Sequence, residues 1–345
     1  MSTSHVDRQT DGHQPLRVGG VLARLSKAGI STAFVRETVL PDWWNDEIAG
    51  NPAGLAQFLG IISRNLGVEM SSLREPESPI RFKDFGQPLF KTRKGVSRKD
   101  LHVAQFLVAR CAQVACQGME SADVLELPSS PRDIRAEIIN TGADWVTLED
   151  LLDYCWSHGV AVVHVSRFPP KAKKMDAMVA RSGDRYAIAL TRHKKESAWL
   201  LFDLAHELGH VTLRHLQDYS MIVDDVDAKS RDSLEDQANR FAVELLTGRP
   251  DIQYTAPFRL TGSQLAASAR EVGERDSVDP GVVALNYCWA KETWGVGQAA
   301  LKILEPHADA PGLVNSKLAE HMNWDCVPED SREFLRRMTG TDDST

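Results

Sequence analysis

Apolar residues recur along this chain with two different periods, and the change of period outlines its organisation. Residues 17–75 carry the three- and four-residue spacing of amphipathic helices: Val18-Gly-Gly-Val-Leu-Ala-Arg-Leu25 opens the region, and Leu55, Phe58, Leu59 and Ile62 share one face. A stretch rich in proline, glycine and charge follows over 76–100, then a helix-like run from Leu101 to about Gln117, then a proline-containing break at Pro128–Pro131. Thr147-Leu-Glu-Asp150 has capping-box character and starts a helix that Gly159 ends. The period then shortens. Val160–Ser166 is apolar and β-branched, and Asp176–Arg181 and Arg185–Thr191 read as two further strands around the turn Ser182-Gly-Asp184. From Ala198 to Leu216 the chain is apolar on nearly every side, the pattern of a buried helix. Ser233–Leu246 has a narrower stripe of Leu234, Ala238, Phe241, Ala242 and Leu245, with Ser233 as its expected cap. Two more helices are expected at Leu260–Arg270 and Gly281–Lys291, with Trp289 and Trp294 in the core. The predicted fold class is α+β.

The buried helix carries the chemistry. His206-Glu207-Leu208-Gly209-His210 fits HExxH. Histidines four apart lie on one helical face, about 5–6 Å apart, which suits two imidazoles on one Zn²⁺. Glu207, beside the first histidine, is the candidate proton acceptor. A helix this apolar tolerates two histidines and a glutamate only if they are paired or bound to metal. The metzincin continuation fails, because Leu213 and Leu216 stand where glycine and histidine are required, and His215 is one residue off that spacing. The better third ligand is Glu235 in the next helix, where Glu235, Ala238, Asn239 and Ala242 form a stripe with small residues that admits a close neighbour. Asp224 and Asp225 are the alternatives. Two histidines and one glutamate leave a position open for water, the catalytic type of zinc arrangement.

HELGHVTLRH followed by ExxANRFAxELL, here Glu235 to Leu246, resembles the ImmA/IrrE-type metallopeptidases of bacteria and their mobile elements. The likeness extends from about Val146 to Leu304. It implies a zincin-like core, a small sheet with the HExxH helix and a second Glu-bearing helix, flanked by helical N- and C-terminal regions. It also implies a gluzincin-like zinc endopeptidase in which His206, His210 and Glu235 bind the metal and Glu207 is catalytic. The substrate would be one specific regulatory protein, such as a helix-turn-helix repressor, and the outcome control of stress, mobile-element or defence genes. One departure is Leu246-Thr-Gly-Arg-Pro250, where the family often has Leu-Met-Pro. An edge strand of the sheet would receive the extended substrate. His215 and Tyr219 are candidates for a second oxyanion donor.

On this reading residues 1–16 are a flexible arm and 17–75 a helical domain. Residues 76–130 are a basic linker and helix, and 131–250 the metallopeptidase core. A C-terminal helical region spans 251–338 and a flexible tail 339–345. The Leu66-Gly-Val68 corner resembles the end of a Cro-type repressor domain, so the first domain is a candidate helix-turn-helix and DNA contact. Net charge changes little: at −8 the chain is not a basic nucleic-acid coat, and the seven Lys/Arg between Arg81 and Lys99 suit a solvated strip as well as phosphates. Five cysteines without a CxxC favour reduced thiols in a cytoplasm, with Cys111 and Cys116 in the core. No targeting segment or membrane span is expected. Two other function classes fit the same residues: a zinc-containing regulator that binds protein or DNA without cutting, and a zinc hydrolase with a non-peptide substrate.

Overall fold

The computed structural model describes residues 16–83, 88–90, 98–119, 127–170, 172, 175–216, 221–223 and 233–341. The expected arm up to residue 15, most of the basic strip, Tyr219, Asp224, Asp225 and the tail beyond residue 341 lie outside them. The chain divides into two compact units, residues 1–83 and 84–345.

In the first unit, α1 (Val18–Lys27) precedes the short α2 (Thr32–Phe34), which runs on into a π-helical turn at Val35–Val39. After a 3-10 turn at Asp46–Gly50 come α3 (Pro52–Leu66) and α4 (Met70–Arg74). The Asn51 side chain accepts hydrogen bonds from the N–H groups of Ala53 and Gly54, Pro52 takes the first helical position, and Gly67 stops α3 at φ 65°. Phe58, Leu59 and Ile62 are buried as their spacing requires, and Trp44 packs on Phe58 at 5.4 Å between ring centroids.

The second unit opens with β1 (Pro88–Phe90), α5 (Arg98–Gln117), α6 (Pro131–Asn140) and α7 (Leu148–Ser157). Next come β2 (Val160–His164), β3 (Ala177–Ser182), β4 (Arg185–Leu190), α8 (Ser197–Thr212), β5 (Met221–Val223) and α9 (Ser233–Thr247). It closes with α10 (Gly262–Asp276), α11 (Pro280–Lys291), α12 (Trp294–Leu304), α13 (Ala310–His321) and α14 (Glu329–Thr339). The unit is α+β. Among the described residues the sheet has five strands in the order β1-β5-β3-β4-β2. β3 and β4 form an antiparallel hairpin, β2 runs parallel to β4, β5 antiparallel to β3, and β1 parallel to β5. Three strands match the sequence pattern; β1 and β5 do not, because three residues are too few to show an alternation.

Every residue of β2 is buried, so both faces of the sheet are covered. Val160, Val162, Val179, Ile188, Leu190 and Ile222 point to one core, shared with α7 and α8. The register puts Ala161, Ala180, Ala187 and Ala189 on the opposite face, where α5 lies across β2, β3 and β4. That first core is continuous from Ile134 to Val314, so α10 to α13 pack into it rather than around it.

The position of α8 is fixed from several sides. Its N-terminus is capped from a distance: Glu305 accepts hydrogen bonds from the Ser197 N–H at 2.7 Å and the Ser197 hydroxyl at 2.6 Å. Arg192, just after β4, donates to Asp203 on α8 at 2.6 Å and also pairs with Asp176. A Cβ on Gly281 would stand 2.7 Å from Ala198, so the glycine lets α11 lie against the start of α8. A Cβ on Gly209 would lie 3.0–3.3 Å from three side-chain atoms of Phe241, so α9 rests directly on the helix at the HExxH motif.

Trp289 and Trp294 are not in the core. They are 72% and 42% exposed, in edge contact with each other, and Trp294 leans on Trp199. The buried side of α11 is taken by Val283, Ala284, Tyr287 and Cys288, which turns Trp289 outward. Cys111 and Cys116 are buried, and burial pushes both thiols up to about 12. None of the described helices is long and apolar enough to cross a membrane.

Two outcomes follow from this packing. Burial pushes the Asp279 carboxyl, which caps α11 by accepting from the Gly281 and Val282 N–H groups, from 3.8 up to about 6. The folded state then holds a proton that the unfolded chain has lost, so stability falls as pH rises from about 4 to about 6. Asp279→Asn keeps an oxygen at the cap and removes that slope; thermal melts should show it more stable than wild type at pH 7.5, by about 1–3 kcal/mol, and similar at pH 4. Gly209→Ala forces Phe241 and α9 outward and should lower the melting temperature, a loss of about 1–3 kcal/mol.

Candidate metal centre

The two histidines of HExxH come together as helical spacing requires. His206 Nε2 and His210 Nε2 are 3.1 Å apart. Glu235, from α9, presents one carboxylate oxygen 3.2 Å from His206 Nε2 and the other 3.6 Å from His210 Nε2. The three residues are 4%, 0% and 7% exposed, so nearly all the water is gone from around them. Glu207, next along α8, is fully buried. Burial works against ionisation of Glu235, but hydrogen bonding to His206 and His210 outweighs it and holds the carboxyl well below the usual carboxylate range.

These residues fit a metal ion. Their ligand atoms all lie within 4.8 Å of one another. Two donors at 2.0–2.1 Å from a tetrahedral ion stand about 3.3 Å apart, close to the 3.1–3.6 Å found between these three groups. No other His/Cys/Asp/Glu group of this kind occurs among the described residues, and no cysteine belongs to it.

The other nitrogen of each imidazole also has a partner. His206 Nδ1 lies 3.1 Å from Asn239 Oδ1, and Asn239 stands one helical turn beyond Glu235 on α9. His210 Nδ1 lies 2.9 Å from His215 Nδ1. Burial and the neighbouring His210 together lower the His215 pKa. His215 thus sits behind a histidine of the cluster, on the side away from Glu235.

The end of α8 accounts for that placement. The His215 N–H bonds back to the His210 carbonyl and the Arg214 N–H to the Val211 carbonyl, the paired bonds of a Schellman motif. The residue between must be left-handed, and Arg214 is, at φ 60°. In such a cap the last residue folds over the final helical turn, which carries His215 onto His210. Sequence spacing gave no hint of this, because the usual signal is a glycine where Arg214 stands. Asn239 was legible only as one small member of a stripe. Tyr219, Asp224 and Asp225 lie outside the described residues.

No curated protein matches this chain. The family model Peptidase_M78, the IrrE N-terminal-like domain, matches residues 158–273. The matched stretch runs from the end of α7 to α10 and contains His206, Glu207, His210 and Glu235. Residues 158–273, about a third of the chain, are therefore similar to the IrrE N-terminal-like domain, which supports the ImmA/IrrE-type resemblance carried by the sequence motifs.

Proposed function

We propose that this chain is a zinc-dependent endopeptidase of the gluzincin kind. In this reading it cuts one specific regulatory protein, such as a helix-turn-helix repressor, and thereby controls stress, mobile-element or defence genes. The observation that carries the reading is the convergence of two imidazole nitrogens and one carboxylate in a buried site, with a second glutamate beside the first histidine. The family match supports a peptidase over the other function classes.

His206, His210 and Glu235 would hold the ion. Bound there, zinc would act as a Lewis acid and bring the pKa of a coordinated water to about 7. Glu207 takes the proton of the attacking water and passes it to the departing amine. The single negative charge of Glu235 offsets half the charge of a divalent ion, leaving the centre electron-poor enough to polarise a carbonyl. The substrate strand lies extended, adding to a free edge of the sheet. A cytoplasmic setting suits the unpaired cysteines, of which Cys111, Cys116, Cys155 and Cys288 are buried.

Glu207→Gln should keep the fold and the metal and lower cleavage by about 100-fold or more. Glu235→Ala should lose stoichiometric zinc, measured by metal analysis after dialysis. The substrate is found by comparing new protein N-termini in cells expressing wild type with those expressing Glu207→Gln. A discrete cut found only with wild type, in a transcriptional repressor, is the expected result. If no cut distinguishes the strains under DNA damage or phage challenge, the proteolytic reading is wrong.

A further inference from the structure

We propose that Asn239 and His215 are positioning residues that dictate which ring nitrogen His206 and His210 present to the metal. This inference rests on the reading of His206, His210 and Glu235 as ligands. It extends that reading to two residues outside the ligand set and gives each a defined proton.

A neutral imidazole has one N–H and one lone pair, and only the lone pair binds a metal. The Nε2 atoms of both histidines converge with Glu235, so both must be free of hydrogen. Each Nδ1 must then carry the proton and find an acceptor. For His206 the acceptor is the Asn239 side-chain oxygen at 3.1 Å. For His210 it is His215 Nδ1 at 2.9 Å, which places the proton of His215 on its own Nε2. The opposite assignment, with His215 donating through Nδ1, would put the His210 proton on Nε2 and block the metal position. His215 does not belong to the converging group, so it is not a fourth ligand.

The backbone accounts for the placement of both partners. Arg214 holds a left-handed conformation that disfavours any residue with a side chain. Such strain persists where the surrounding structure over-determines it. Here the turn delivers His215 to the back of His210. Asn239 is delivered by the same helix that supplies Glu235, so one packing contact sets both a ligand and the partner of another ligand.

The test uses the full chain, stripped of metal and titrated with Zn²⁺ against a chelator and with Co²⁺ followed by its visible absorption. Wild type should bind one equivalent. If it binds none, the ligand reading itself fails, which is distinct from failure of the positioning roles. Asn239→Ala and His215→Phe should each bind zinc 10–100-fold more weakly and shift the Co²⁺ spectrum, with unchanged metal-free melting temperatures. His215→Asn keeps an acceptor where Nδ1 stood and should recover both affinity and spectrum. Asn239→Asp offers a stronger acceptor and should bind at least as tightly as wild type. Unchanged affinity and spectrum in Asn239→Ala and His215→Phe, with cleavage lost, would place these residues on the substrate and overturn the proposal. If His215→Phe does not fold, the comparison of His215→Asn with His215→Ala decides the same point.

Discussion

A carboxylate buried against two imidazoles is the demanding feature of this molecule. Charged groups leave water only when their partners are fixed in place. Glu235 meets that condition from a different helix than His206 and His210, so the site exists only while α8 and α9 keep their spacing. Gly209 makes that spacing short, and Phe241 fills it. The sheet beneath, the Arg192 bridge to Asp203 and the Glu305 cap all serve to hold one helix still.

The supports reach beyond the family match. Residues 158–273 contain the helices that carry His206, His210 and Glu235, yet the cap on α8 comes from Glu305 and the glycine under its first turn is Gly281. The common core continues through Val314. The last helices of the chain are thus part of what keeps the cluster of His206, His210 and Glu235 in register, even though those residues lie upstream.

Much of this was legible in the sequence where a periodic signal and a chemical signal coincided. The α8 pattern showed a buried helix and HExxH showed why polar groups sat in it. The strands β2, β3 and β4 were long enough to announce themselves. What was hidden depended on contacts between elements. β1 and β5 are three residues each and owe their pairing to neighbours. Trp289 is apolar in composition but lies on the outward side of α11, a fact decided by what packs on the other side. Asn239 is one polar residue in a helix until its distance to His206 gives it a role.

The Schellman turn at Arg214 turns residue count into a ruler. His210 and His215 meet because a helix that ends in this way folds its sixth residue back over its first, whatever side chains lie between. Val211, Thr212 and Leu213 are held by the core, so residue identity can drift at the exposed Arg214, with glycine the easiest exchange, whereas a single insertion or deletion between His210 and His215 would separate the two rings. Selection on this loop should act on its length before its letters, and chains that share the fold but differ in that interval must have found another way to orient the second histidine.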